Sequence, residues 1–181
     1  MNVWFNIVGY QLVWLATVWG ASHERAWLGP LALLPFASIH LRRRDGRLDA
    51  WLLLAAAGCG TVLDSLYAAT GTIEYASPFP SGHAAPAWII TLWAAFALTL
   101  RHSLRFLQGR WLLAMAFGAA GAPLAYVAAA RSWQAVGFPQ GVVVAIGALA
   151  LGWAFVLPLL LRLAMTLEHQ TRSRTATHVH V

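Results

Sequence analysis

The stretch His40-Leu41-Arg42-Arg43-Arg44-Asp45-Gly46-Arg47-Leu48 sets four arginines in a short polar turn between two apolar runs. The pattern recurs at Arg101, Arg105 and Arg110, and again at Arg162, Arg172 and Arg174. Ten of the 12 basic side chains, all of them arginine, therefore fall in three places. Positive clusters separated by pairs of apolar stretches of about 20 residues are what a polytopic membrane protein looks like when its cytoplasmic loops hold the positive charge. Working outward from the first cluster, the apolar runs predict six spans: Val3 to Ala21, Trp27 to Leu41, Leu48 to Gly71, Ala84 to Leu100, Trp111 to Ala130, and Gly141 to Leu163.

Six crossings with both termini cytoplasmic leave only Arg25 and Arg131 outside. The second span is short: 15 residues make about 22 Å of helix, against a hydrocarbon core of about 30 Å. Reading it as re-entrant would put the Arg42 to Arg47 cluster opposite the Arg101 to Arg110 cluster, so six crossings suit the charges better. Tryptophans agree with this topology, with Trp4, Trp51 and Trp111 at inner ends and Trp19, Trp27, Trp88 and Trp133 at outer ends, where amphipathic rings prefer the headgroup level. Trp14, Trp93 and Trp153 fall mid-span and read as packing residues. The first span lacks a basic residue before its apolar run and carries Asn6 and Gln11, which argues against a cleaved secretory signal.

Composition points the same way. The chain is 60% hydrophobic and 10% charged, whereas about a quarter of residues are charged in a soluble domain. The expectation is an all-α helical bundle forming one membrane domain over residues 1–167, followed by a polar, disordered tail from Glu168 to Val181. The net charge of +6 is not a nucleic-acid signal, because the arginines flank membrane segments and their nearest anions are lipid phosphates. Membrane lipids are the expected partners, with a homo-oligomer or another membrane protein as further options and no nucleic acid. No cofactor motif and no convincing metal-ligand spacing is present; His178 and His180 in the tail read as solvated side chains rather than ligands. Cys59, the single cysteine, cannot form an intrachain disulfide.

Chemistry, where present, belongs with polar groups inside the bilayer, because each is costly there and faces protein or a water-filled cavity. Asp64 stands out in the outer half of the third span. Gly60 and Ala57 lie on its face and allow another helix to approach. An aspartate at mid-helix costs about 2.5 to 3.5 kcal/mol on insertion scales, so it needs a partner, for which Arg131 is one candidate. It reads either as a structural pair between helices or as an acid or base.

At the inner side, Asn6, Tyr10 and Gln11 form a polar wedge, and His40, Thr99, His102 and Ser103 are expected near Asn6. His102 and Ser103, as neighbours on a helix, would diverge by about 100° and so would not form a nucleophile and base pair. Small residues at Gly118, Gly121 and Gly147 mark helix contacts, and Pro123 is expected to kink the fifth span.

Pro80-Ser81-Gly82-His83 resembles the central motif of the type-2 phosphatidic acid phosphatases, which implies phosphoryl transfer at the outer surface. The chain lacks the lysine and Arg-Pro pair that would hold phosphate, and no histidine follows Arg131 on the same side. The run reads as turn chemistry before a helix.

A broader resemblance runs through Asn6, Gln11 and Trp14; Gly20-Ala21; Trp27-Leu28-Gly29-Pro30; His40, Gly60 and Asp64; Pro86, Trp88, Leu92-Trp93, Phe96, Thr99 and His102-Ser103-Leu104; then Gly118, Gly121, Pro123 and Tyr126. This order and spacing resembles the bacterial multi-pass family of domain of unknown function 2878. The segment from Ser77 to Ala85 lies outside that pattern. The resemblance implies an inner-membrane protein of uncharacterised activity and adds Tyr126 to the candidate polar residues. Members tend to be encoded near enzymes that modify fatty-acyl chains, which implies a role in lipid metabolism as enzyme or accessory factor. The competing expectation is a non-catalytic small-solute transporter, channel or assembly subunit. A polar line from Asn6 through Gln11 to Asp64 facing one cavity would favour transport. Asp64 in a closed pocket that opens sideways to lipid would favour lipid chemistry.

Overall fold

The computed structural model describes the backbone of residues 2–179 and side chains as far as residue 171. Six helices follow one another: α1 (Val3–Ser22), α2 (Leu28–Leu41), α3 (Gly46–Ala69), α4 (Ala87–Ala97), α5 (Trp111–Trp133) and α6 (Val142–Val179). Helices α3 and α5 and the Val142–Thr171 part of α6 are long and apolar enough to cross a membrane, while α2 and α4 are shorter apolar helices. The outer surface is itself apolar, with Leu112 and Val143 each 79% exposed. A water-soluble monomer does not display contiguous apolar surface on this scale.

Successive helices run in alternating directions. Asn6 of α1, His40 of α2, Asp49 of α3 and Glu168 of α6 meet the Arg101–Ser103 segment at one end, called here the arginine end. At the other end β1 (Glu74–Tyr75) pairs antiparallel with β2 (Val136–Gly137), tying the α3–α4 loop to the α5–α6 loop. This is the ladder end. There α3 stops in a Schellman turn: Thr72 N–H donates to Tyr67 O at 2.9 Å and Gly71 N–H to Ala68 O at 3.0 Å. Gly71 takes φ +67°, a left-handed value that glycine adopts without the Cβ clash.

The fourth helix is shorter than its apolar run suggests. Ala84 to Leu100 was the expected span, but the α-helix ends at Ala97 and the chain continues in i to i−3 turns through Arg105–Leu107, a short 3-10 segment. The carbonyls that would continue the α-helix are taken by side chains. Asn6 Nδ2 donates to Leu98 O at 3.0 Å, and Gln108 Nε2 to Leu100 O at 3.3 Å. Non-helical backbone in apolar surroundings is tolerated where it is buried in protein, and Leu98 and Leu100 are both fully buried.

Two further points concern the last two helices. Pro123 lies inside α5, which runs on to Trp133. The polar segment from Glu168, expected to be a disordered tail, continues α6 as helix to Val179; Glu168 Oε1 accepts from Arg101 Nε at 2.9 Å, which anchors the first turn of that extension. The His178 side chain and all of His180 lie outside the described residues.

Helices α5 and α6, α3 and α4, and α1 and α2 form the closest pairs, whereas α1 touches α5 only lightly. Glycines set these approaches. A Cβ at Gly118 would meet Trp153 O at 2.4 Å, so α5 and α6 come together backbone to backbone there.

Candidate functional site

Asp64 is fully buried near the ladder end of α3. Its carboxylate is the centre of a knot of neutral donors. Tyr75 Oη donates to Oδ1 at 2.7 Å, Trp93 Nε1 donates to Oδ2 at 2.7 Å, and Tyr126 Oη makes a further bond to Oδ1. Each donor comes from a different element: β1, α4 and α5. The local reason is Gly60, one turn before Asp64, where a Cβ would lie 2.2 Å from the Trp93 ring. Without that Cβ the indole lies against α3 and its N–H reaches the acid. Hydrogen bonds to a charged group contribute about 1.5 to 3 kcal/mol each. Three of them offset part of the cost of burying an aspartate, roughly 2.5 to 3.5 kcal/mol at mid-helix. Burial first, and then the neighbouring Asp64 charge, push the Tyr75 phenol far above its ordinary value, so it remains a donor.

The expected ion pair with Arg131 does not form. Arg131 is exposed at the end of α5, and among the described residues Asp64 has no cationic partner. The physical reason is supply: three neutral donors already give both carboxylate oxygens a partner, and Arg131 stays at the surface without a desolvation cost.

The second cluster sits at the arginine end and gathers Asn6, His40, His102 and Ser103, as the spacing predicts. Asn6 is fully buried and spends all its capacity. Its Nδ2 lies 3.0 Å from His40 Nε2 and 3.0 Å from Leu98 O, while Oδ1 accepts from Ser103 Oγ at 2.6 Å and Ser103 N at 3.2 Å. His40 Nδ1 is 2.7 Å from Phe36 O. That carbonyl requires the proton on Nδ1, which leaves Nε2 to accept from Asn6. The His102 ring packs edge-on against His40 with centroids 5.0 Å apart. Because the chain is not α-helical here, the 100° divergence expected of His102 and Ser103 does not apply. Ser103 nevertheless bonds to Asn6 rather than to a histidine, so no nucleophile and base pair is formed.

Beside it lies an ion network that the sequence did not single out. Asp49, 1% exposed in its side chain, takes Arg101 Nη1 at 3.0 Å, and Arg101 Nε holds Glu168 at 2.9 Å. His102 Nε2 stands 3.6 Å from Asp49 Oδ2. Burial alone would lower the Arg101 guanidinium, but its bonds to Glu168 and Asp49 outweigh that and hold it above its ordinary value. The signal for this network was an acid at the start of the third span and an arginine directly after the fourth. Trp93 and Tyr75 were missed for a different reason. A mid-span indole N–H needs an acceptor, which could have pointed Trp93 at Asp64, whereas Tyr75 lies in a loop whose path the sequence does not specify.

Gln11 joins neither cluster. It is exposed and lines a hollow of about 300 Å³ with Tyr10, Phe96, Thr99, Ser103 and Phe117. A second hollow of about 100 Å³ continues toward the ladder end, walled by Trp14, Trp88, Trp93, Tyr126 and Trp153 and by the small residues Gly121, Ala122 and Ala125. Tyr10 and Phe96, in edge-on ring contact, line both, so the two hollows adjoin along the seam between α1, α4 and α5. Among the described residues, no Lys, Arg, Asp or Glu lines either hollow. The Pro80-Ser81-Gly82-His83 run is an exposed turn, with Ser81 Oγ accepting His83 N–H at 3.3 Å.

An all-α bundle with membrane-length helices, an apolar exterior and an aromatic side seam defines a membrane-type helical protein. The family model described as Protein of unknown function (DUF2878) matches residues 3–159, and the chain belongs to that family. No curated protein and no solved structure matches it.

Proposed function

We propose that this chain is an inner-membrane protein with six crossings and both termini cytoplasmic, and that it takes a membrane lipid sideways into the seam between α1, α4 and α5 as a binding or accessory component of lipid metabolism. The observation that carries this reading is the seam itself. It is aromatic and uncharged, it lies where α1 and α5 barely touch, and its walls at Tyr10, Trp14, Leu92, Phe96 and Gly121 are only half-buried. Apolar hollows with a few polar groups are what bury an apolar ligand, and bilayer lipid is the solvent on that side.

Asp64 supports binding rather than proton transfer. Its oxygens are occupied by three donors and it has no exposed surface, so its role in this reading is to hold Tyr126 and Trp93 as the back wall of the seam. Transport of a polar solute is less favoured, since Gln11 does not connect Asn6 to Asp64 and no charged group lines the hollows.

The test is lipid mass spectrometry on the purified chain and on a Gly121→Trp variant. A Cβ at Gly121 meets only Phe117 at 3.9 Å, so a side chain added at this seam-lining position starts without a backbone clash. A lipid species that copurifies with the parent and is depleted in the variant is the expected result, and an identical lipid complement would sink the idea. Cysteine labels between Thr72 and Ala85 should react from outside intact cells; reaction only after permeabilisation would overturn the topology.

A further inference from the structure

The arginine end holds more cations than the molecule can pair. The chain has six acidic residues. Asp64 is spent in its knot, Glu24 follows α1, Glu74 lies in β1 at the ladder end, and Asp45, Asp49 and Glu168 all gather around Arg101. Arg110 and Arg162 are both exposed, and among the described residues neither has an acidic partner. Both line one hollow of about 150 Å³ between the start of α5 and the far part of α6. The buried part of its lining is apolar, made by Leu107, Ala114, Pro158 and Leu161, and Trp111, 45% exposed, lines it beside Arg110.

The ligand that fits is constrained from three sides. Two guanidiniums on one hollow, with no acid lining it, call for negative charge, and their planar forks match phosphate oxygens. The apolar lining calls for hydrocarbon attached to that anion. No carboxylate is present to receive the ammonium of a zwitterionic headgroup. The larger hollow of about 380 Å³ around Arg43, Arg101 and Arg105 is different, because Asp45 and Glu168 line it and already engage Arg101. We infer that the hollow between Arg110 and Arg162 binds the phosphate of an anionic phospholipid, with the upper part of an acyl chain against Leu107, Pro158 and Leu161 and the Trp111 ring at headgroup level. The site rests on the membrane placement proposed above and not on entry of lipid into the seam.

The experiment adds dioleoyl phosphatidylglycerol, dioleoyl phosphatidylethanolamine or inorganic phosphate to the full chain in dodecyl maltoside micelles and reads affinity from the rise in melting temperature. The two lipids carry the same acyl chains, so their difference reports the headgroup. Two arginines near a membrane surface correspond to a preference of about 10- to 30-fold for phosphatidylglycerol. The double variant Arg110→Gln, Arg162→Gln should bring it to about twofold or less, with melting in the absence of lipid unchanged, as for exposed side chains without partners. Arg42→Gln, Arg44→Gln removes the same charge from exposed positions at the same end and should keep the preference. An equal response to the two lipids, a preference that survives in the Arg110 and Arg162 variant, or an equal loss in the Arg42 and Arg44 control overturns the site. Stabilisation by inorganic phosphate that matches phosphatidylglycerol and is lost with Arg110 and Arg162 overturns the lipid assignment in favour of a soluble phosphate. Gly121→Trp, which probes the seam, should leave this preference intact, so the two readings fail separately.

Discussion

The two buried carboxylates of α3 are held by opposite means. Asp64, toward the ladder end, has three neutral donors and no cation, whereas Asp49, at the arginine end, has Arg101 at 3.0 Å and shares it with Glu168. The difference follows from what each end supplies. Arg101, only 9% exposed in its side chain, offsets its own burial by donating to Asp49, Glu168 and the Asp45 carbonyl. The same arginine at Asp64 would have to be desolvated, and buried ion pairs often do not recover that cost. Phenol and indole donors carry no charge to desolvate and bring large apolar bodies that pack. The ladder end thus becomes an aromatic wall built around an acid, and the arginine end an ion network built around a cation.

Removing each centre tests that contrast. Asp64→Ala strands two hydroxyls and an indole N–H and should lose about 3 to 5 kcal/mol, since each unsatisfied buried donor costs about 1 to 3 kcal/mol. The measurement is unfolding in mixed micelles titrated with SDS. A loss under 1 kcal/mol would mean that the knot does not hold the bundle. Arg101→Met leaves Asp49 buried and unpaired, for an expected loss of about 2 to 4 kcal/mol. Adding Asp49→Asn to that variant should recover at least half of the loss, a rescue that no second change at the Asp64 knot should reproduce. If the double variant is no better than the single, the arginine end is not an ion-pair device.

Gly60→Ala is expected to cost about 1 to 3 kcal/mol through overpacking against Trp93. It should also shift tryptophan fluorescence as the Trp93 to Asp64 bond loosens, and an unchanged spectrum would detach Gly60 from the knot. Smallest is Arg131→Ala, which should change stability by no more than about 0.5 kcal/mol, as for an exposed side chain without a buried partner. A larger loss would restore the ion pair that the spacing suggested.

Much of the molecule was legible along the chain. Apolar run lengths located all six helices, and the residues that meet at the arginine end, Asn6, His40, His102 and Ser103, were foreseeable because alternating directions bring those run ends together. Asp64 was visible as an acid in an apolar run. Its partners were not, because Trp93 lies 29 residues away and Tyr126 lies 62 residues away, and any donor at the same depth would have met the same need. The early end of α4 was equally hidden, since the run from Ala84 to Leu100 reads as one continuous helix until Asn6 of another helix takes the Leu98 carbonyl.

The sequence by itself determined the apolar character of the chain, the number of helices and their alternation, because run length, composition and the placement of arginine are read along the chain alone. Only the tertiary structure decided which donors satisfy Asp64, where the fourth helix breaks, and that the buried Trp153 N–H has no partner among the described residues. Those outcomes depend on which side chains share a depth and a facing direction, a three-dimensional coincidence that no single stretch of chain carries.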